Sequence, residues 1–167
     1  MKTEYYYMVQ GAITAAVAWL SARLGALFAP LMLLMGLMIL DYITGMLASK
    51  KEAIEHPDDP AFGWSSRKGG IGIIKKVGYM CVIVAAVCLD CILADAGTAF
   101  GVDLSGKMIF GLIVSVWYLL NELLSVIENA GRMGAPVPAW LARYIAALKG
   151  KIDRKGEEAA EEEQDEN

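Results

Sequence analysis

Few residues in this chain could do chemistry, and most of them lie inside apolar segments. The single histidine, His56, stands in a turn-forming stretch beside acids, with no cysteine or serine close by in sequence to act as a nucleophile. Cys81, Cys88 and Cys91 share one apolar segment, where a Cys-x-x-Cys spacing is typical of packing rather than of redox or metal chemistry. No zinc-ligand spacing and no hydrolase triad can be assembled. The sequence therefore predicts neither an enzyme nor a metal or cofactor site.

Two carboxylates are more informative, because Asp41 and Glu122 interrupt long apolar runs. A charged side chain at the centre of a membrane-spanning helix costs about 2.5–3.5 kcal/mol, so it usually faces protein or water. Asp41, with Thr44 one turn further on, is predicted either to line water or to pair with Lys75 or Lys76. Glu122 has no obvious partner on its own helix.

Glu122 belongs to a polar stripe on one face of its helix. At 100° per residue, seven polar or small residues fall within roughly 80° of one another. These residues are Lys107, Gly111, Ser115, Tyr118, Glu122, Ser125 and Asn129. The stripe predicts either a water-facing wall in an oligomer or hydrogen bonds to neighbouring helices. Asp90 and Asp95 are expected near the outer face of the membrane, where a carboxylate is tolerated without a special role.

The elements that must position these residues are long and apolar. Of the 167 residues, 56% are hydrophobic and 20% are charged, whereas globular chains average about 45–50% and about 25%. This excludes a disordered chain, a disulfide scaffold and most soluble enzymes. A membrane-spanning helix needs about 20 apolar residues, and four segments qualify or nearly qualify: 5–22, 30–48, 77–94 and 108–127. The first is short and Ala-rich and could lie in the membrane interface instead, which would leave three spans.

Basic residues collect in two of the connections. The predicted loop 49–76 carries six: Lys50, Lys51, Arg67, Lys68, Lys75 and Lys76. The chain after Glu128 also carries six. Because cytoplasmic connections are enriched in Lys and Arg, both should face the cytoplasm, where the six side chains would lie on the anionic membrane surface. The carboxyl terminus is then cytoplasmic, and with four spans so is the amino terminus. Nucleic-acid binding is not expected, since the basic residues sit at membrane edges.

The last part of the chain changes character. Residues 131–152 predict an amphipathic helix, with Trp140, Leu141, Tyr144 and Ile145 at helical spacing. This helix is expected to lie either on the cytoplasmic membrane surface or against the protein's own loops. Seven acids among the last eleven residues predict a disordered acidic tail over 153–167. The predicted fold is thus an all-α integral membrane protein of three or four spans, followed by an interfacial helix and this tail.

Four stretches, in this order, resemble the phage holins of the toxin-secretion/phage-lysis type, which include holin-like proteins beside clostridial toxin genes. The stretches are Leu40–Gly45 (LDYITG), Lys68–Lys76 (KGGIGIIKK), Asn121–Asn129 (NELLSVIEN) and Gly131–Pro138 (GRMGAPVP). The resemblance covers roughly residues 30–150 and makes residues 1–130 a transmembrane holin domain. It implies a homo-oligomer of the bacterial cytoplasmic membrane that opens lesions in the lipid bilayer. These lesions would release an endolysin, or a toxin, as cargo and time the lysis of the host cell.

Such a mechanism would bury the polar stripes against each other in closed assemblies and turn them to water on opening. Two alternatives stay open. In a small multi-span ion channel or transporter, Asp41 and Glu122 would be ion or proton sites. In a non-conducting membrane scaffold, the basic loop and the acidic tail would be docking surfaces.

Overall fold

The computed structural model describes residues 2–59, 62–63, 65–104 and 106–165. Within this part of the chain every regular element is helical, which confirms the predicted all-α fold. The five α-helices are α1 (Lys2–Leu24), α2 (Phe28–Glu55), α3 (Ser66–Ala99), α4 (Ile109–Arg132) and α5 (Ala139–Asp165), and a 3₁₀ turn (Gly25–Leu27) joins α1 to α2.

Three helical stretches among the described residues are long and apolar enough to cross a membrane: Thr3–Glu55, Ser66–Ala99 and Ile109–Arg132. The first contains both of the predicted spans 5–22 and 30–48. It is interrupted at Gly25, whose φ of +51° lies in the left-handed region that only glycine adopts readily. Its 53 residues are enough for two crossings at about 20 residues each. A separate first span therefore stays a prediction.

The core lies where α2, α3 and α4 meet. Its buried side chains are Leu34, Met38, Tyr79, Ile83 and Tyr118, and the rings of Tyr79 and Tyr118 stack with centroids 4.0 Å apart. Helices α2 and α4 run parallel, because Leu27, the residue just before α2, meets Gly111 in the first turn of α4, and the last turns meet at Glu52 and Arg132. Helix α3 runs antiparallel to both. Helix α1 extends from this bundle, and among the described elements it contacts only the 3₁₀ turn and α2.

The connection between α2 and α3 is shorter than the predicted loop 49–76. Helix α2 continues past the apolar run to Glu55, where Lys51 and Glu55 form an i, i+4 ion pair at 2.6 Å. Helix α3 begins at Ser66, because the Ser65 hydroxyl accepts the backbone N–H of Lys68 at 3.2 Å and caps the first turn. We call the end of the bundle that carries Lys50, Lys51, Lys68 and Arg132 the basic end.

Helix α5 differs from the prediction in both length and place. It continues to Asp165, so residues 153–165 are helical rather than disordered, which agrees with the high helix propensity of Ala, Glu, Lys and Arg. The helix packs against α4, where Ile145 is buried. Of the two predicted placements, the structure is closer to the second, in which the helix packs against the protein itself. Its partner is the helix α4 and not a loop.

Candidate functional site: an ionic cluster between three helices

One lysine joins two carboxylates at the centre of the three-helix contact. The Lys76 ammonium on α3 donates to Asp41 Oδ2 on α2 at 2.9 Å, and it also donates to Glu122 Oε2 on α4. The side chain of Glu122 is 3% exposed, that of Lys76 15% and that of Asp41 20%. Each helix therefore supplies one charge to a largely dry site. Asp41 pairs with Lys76, which is the second of the two arrangements that the sequence predicted for it.

Asn129 extends this site along α4. Its Nδ2 donates to Asp41 Oδ1 at 2.9 Å and to the Thr44 hydroxyl oxygen at 3.3 Å. The Thr44 hydroxyl itself donates to the backbone oxygen of Leu40 at 2.8 Å. We call Asp41, Lys76, Glu122 and Asn129 the ionic cluster. Asn129 gives the second carboxylate oxygen of Asp41 a partner, so that neither oxygen is left without a donor.

Arg132 continues the network to the basic end. Its Nη1 donates to Asn129 Oδ1 at 2.9 Å, and its Nε and Nη2 donate to the two oxygens of Glu52 at 2.8 and 2.7 Å. This fork-to-fork geometry is the strongest that an arginine and a carboxylate form. A cleft of about 420 Å³, lined by Asp41, Lys68, Arg132 and small residues of α2 and α3, borders the cluster here. Asp41 is therefore the member of the cluster that is closest to water.

The polar stripe faces α2 and α3 of the same chain. Gly111, Ser115, Tyr118, Glu122 and Asn129 are buried, and Ser125 is half-buried. The Ser115 hydroxyl donates to the backbone oxygen of Gly111 at 2.7 Å. That bond lies within α4, whereas Glu122 and Asn129 bond to α3 and α2 and Tyr118 stacks on Tyr79, so these three members make the helix-to-helix contacts that were one of the two predicted roles. Its role as a water-facing wall in an oligomer remains a prediction.

The six predicted surface lysines and arginines divide into two groups. Lys50, Arg67, Lys68 and Lys75 are exposed, and Lys51 is half-exposed in its pair with Glu55. Lys76 differs from the prediction, because it turns inward to the two carboxylates. The adjacent Lys75 lies on the outer side of α3, with its ammonium 5.6 Å from the centre of the Tyr79 ring.

A comparison with known protein families decides the identity of the chain. The model of the bacteriophage holin family matches residues 18–150. The chain belongs to this family. The matched region of this holin-family chain begins within α1, contains the whole ionic cluster and ends within α5.

Curated relatives of this holin-family protein come from bacteria and from a phage. It is 33% identical to an uncharacterised protein of Halalkalibacterium halodurans, over 83% of this chain and 89% of the relative. It is 29% identical to an uncharacterised 14.9 kDa protein encoded 3' of nagH in Clostridium perfringens, over 81% of this chain and 94% of the relative. It is 27% identical to a probable holin of Bacillus phage phi105, over 75% of this chain and 78% of the relative. No solved structure matches the chain.

Sequence reasoning gave Asp90 no special role, but the structure gives it one. Its carboxylate accepts the backbone N–H groups of Phe110 and Gly111 at 2.9 and 2.8 Å, and the residue is buried. A carboxylate is favourable at this position, because the first N–H groups of a helix have no partner within the helix and carry the positive end of its dipole. In the sequence, only the position of Asp90, about 20 residues before α4 and near the end of an apolar run, could have indicated this contact.

The site of this holin-family chain holds three helices together through ion pairs and hydrogen bonds. Within the described ranges no three His, Cys, Asp or Glu side chains are close enough to bind a metal ion. The cluster instead contributes paired charges from three helices. Removing Lys76 would leave two carboxylates unpaired in a dry contact, and the two pairs exist only while the three helices stay together.

Proposed function

We propose that this protein is a holin of the bacterial cytoplasmic membrane, whose copies assemble and open lesions that let a cytoplasmic endolysin, or a toxin, leave the cell. The single observation that carries the proposal is the family match over residues 18–150. The three helical stretches that could cross a membrane support it. We also propose that the basic end faces the cytoplasm, following the excess of Lys and Arg there.

The ionic cluster, in this proposal, holds α2, α3 and α4 together in each copy. One ammonium is shared by two carboxylates only while α2, α3 and α4 stay together. Deleting one partner of a buried pair costs about 3–5 kcal/mol as long as the remaining charge stays in a dry contact. If the polar stripe becomes the wall of the lesion, which is one of its two predicted roles, α4 must leave α2 and α3 and water must replace the contacts of Lys76 in each copy.

Induced expression in a bacterium, with and without a cytoplasmic endolysin, tests the proposal. The membrane potential and the optical density of the culture would be followed together after induction. We expect the potential to collapse abruptly in both cultures, and the density to fall only where the endolysin is present.

Two other results would contradict a holin. High expression that leaves the potential intact would favour a non-conducting scaffold. A selective and reversible current in planar bilayers, without passage of a folded protein, would favour a small channel in which Asp41 and Glu122 are ion sites.

A further inference from the structure

Helix α5 lies along α4 in the opposite direction, in contact through both charged and apolar side chains. The Lys149 ammonium donates to Asn121 Oδ1 at 3.1 Å and lies 4.2 Å from the centre of the Trp117 ring. The Trp117 indole N–H donates to Asp153 Oδ1 at 2.6 Å. Further along, Glu157 borders the same cavity as Ile113. As the numbers rise along α5 they fall along α4, so the two helices are antiparallel.

These contacts lie deep along α4, far from its basic end. Trp117 precedes Arg132 by 15 residues, and a rise of 1.5 Å per residue places it roughly 22 Å from that end of a helix about 36 Å long. Ile113 lies roughly 28 Å from the same end. The charged part of α5 is therefore at the level of the apolar core that α4 would cross.

The outer face of α5 does not suit a lipid environment at that depth. Besides Asp153 and Glu157, which border α4, three charged side chains in this part of α5 are exposed: Lys151, Arg154 and Lys155. Charged side chains within the hydrocarbon are strongly disfavoured and usually face protein or water. The outer faces of α2 and α3 are apolar, with Leu33, Ile39, Ile43, Val77, Val84 and Ile92 exposed. The molecule thus has lipid-compatible surfaces on α2 and α3 and a charged surface, the α5 side, on α4.

We propose that the α5 side faces the water-filled passage when copies of this chain assemble, with α5 and the Ile113–Trp117–Asn121 strip of α4 as its wall. This rests on the proposed function as a holin. The polar stripe then stays packed on α2 and α3, and none of the ion pairs of Lys76 has to break. In closed assemblies the same side meets the α5 sides of neighbouring copies, away from lipid.

Cysteine labelling distinguishes the two possible walls. The native residues Cys81, Cys88 and Cys91, all free and exposed, are first replaced by Ala. Single cysteines are then introduced as Ile113→Cys beside α5 and as Ser115→Cys in the polar stripe. Ile39→Cys, which is 59% exposed on α2, is the matched lipid-facing control. Expressing cells are treated with the membrane-impermeant, positively charged reagent methanethiosulfonate ethyltrimethylammonium, before and after the potential collapses.

We expect the Ile113→Cys thiol to react at least about tenfold faster after the collapse, because a thiol reacts as a thiolate and the thiolate needs water. The other two cysteines should show no change. Faster labelling of Ser115→Cys than of Ile113→Cys, or no labelling of either despite a collapsed potential, would overturn the α5 wall and leave the holin proposal standing. If even the cysteine-free parent never collapses the potential, the holin proposal fails and the wall fails with it.

Discussion

Replacing Lys76 by Met is the most direct test of the ionic cluster. The substitution keeps the aliphatic stem but leaves Asp41 and Glu122 without their shared cation. Loss of one partner from a buried pair costs about 3–5 kcal/mol. Since Asp41 and Lys76 keep some exposure, water screens part of the penalty, and we expect a loss of about 3 kcal/mol in the free energy of unfolding. This corresponds to a change of about 150-fold in the equilibrium between the closed and separated helices.

Two measurements report the effect. Unfolding of the purified protein in mixed detergent micelles measures its stability. The time from induction to collapse of the membrane potential measures the timing of lysis. We expect lower stability. The collapse should also come earlier if opening separates α4 from α2 and α3, and should keep its timing if the polar stripe stays packed. Lys50→Met is the matched control, because Lys50 is exposed at the end of α2, and its loss should change stability by less than about 0.5 kcal/mol.

Neutralising the two carboxylates should restore most of the lost stability. With Asp41→Asn and Glu122→Gln added to Lys76→Met, no uncompensated charge remains between the helices, and we expect about 2 kcal/mol to return. The reasoning is refuted if Lys76→Met is as stable as the parent. It is also refuted if the triple variant is no more stable than Lys76→Met alone.

Three further predictions concern neighbouring contacts. If opening separates α4 from α2 and α3, Glu122→Gln should advance the collapse of the potential, because Lys76 then has one carboxylate instead of two; unchanged timing would count against that separation. Gly111→Val should cost about 1–3 kcal/mol of unfolding free energy, since a Cβ there would lie 2.8 Å from a side chain of α3; Gly78→Ala, with nothing within 4 Å, is the control, and equal stability of the two would contradict the packing. Arg132→Met should cost at most about 1 kcal/mol, and less at high salt, because the pair with Glu52 is partly exposed; a larger, salt-independent loss would show this estimate to be wrong.

The helices of the bundle could be predicted because a membrane solvent demands long apolar runs. The ends of the helices could not be predicted from those runs. Helix α2 passes through Lys50 and continues to Glu55, since helical hydrogen bonding does not depend on whether the next turn is apolar. The prediction of a disordered acidic tail was wrong for a related reason. Its charge density favours disorder, whereas its Ala, Glu and Lys content favours a helix, and composition alone does not rank the two.

The residues of the candidate site could be predicted from the sequence, but the residues that they contact could not. Helical periodicity places Ser115 and Glu122 on one face of α4, but a polar face has the same pattern whether water or another helix covers it. If Asp41 pairs at all, the sequence predicts Lys75 or Lys76 as its partner, because both lie at the same membrane edge. The choice between them depends on which side of α3 faces α2, a matter of tertiary packing. The role of Asp90 has no local pattern at all, because the backbone N–H groups that it accepts lie 20 and 21 residues away.

The carboxylate of Asp90, nine residues before the end of α3, binds the first turn of α4, so that α4 can pivot about its own first turn. Helices joined at this point can move apart only further along α4, toward its carboxyl end. Glu122 lies 11 residues from Gly111, or roughly 16 Å along α4. A swing of about 10° would therefore carry Glu122 about 3 Å, which is enough to break a hydrogen bond. A small angular change at the first turn of α4 is in this way amplified into the loss of a charge contact.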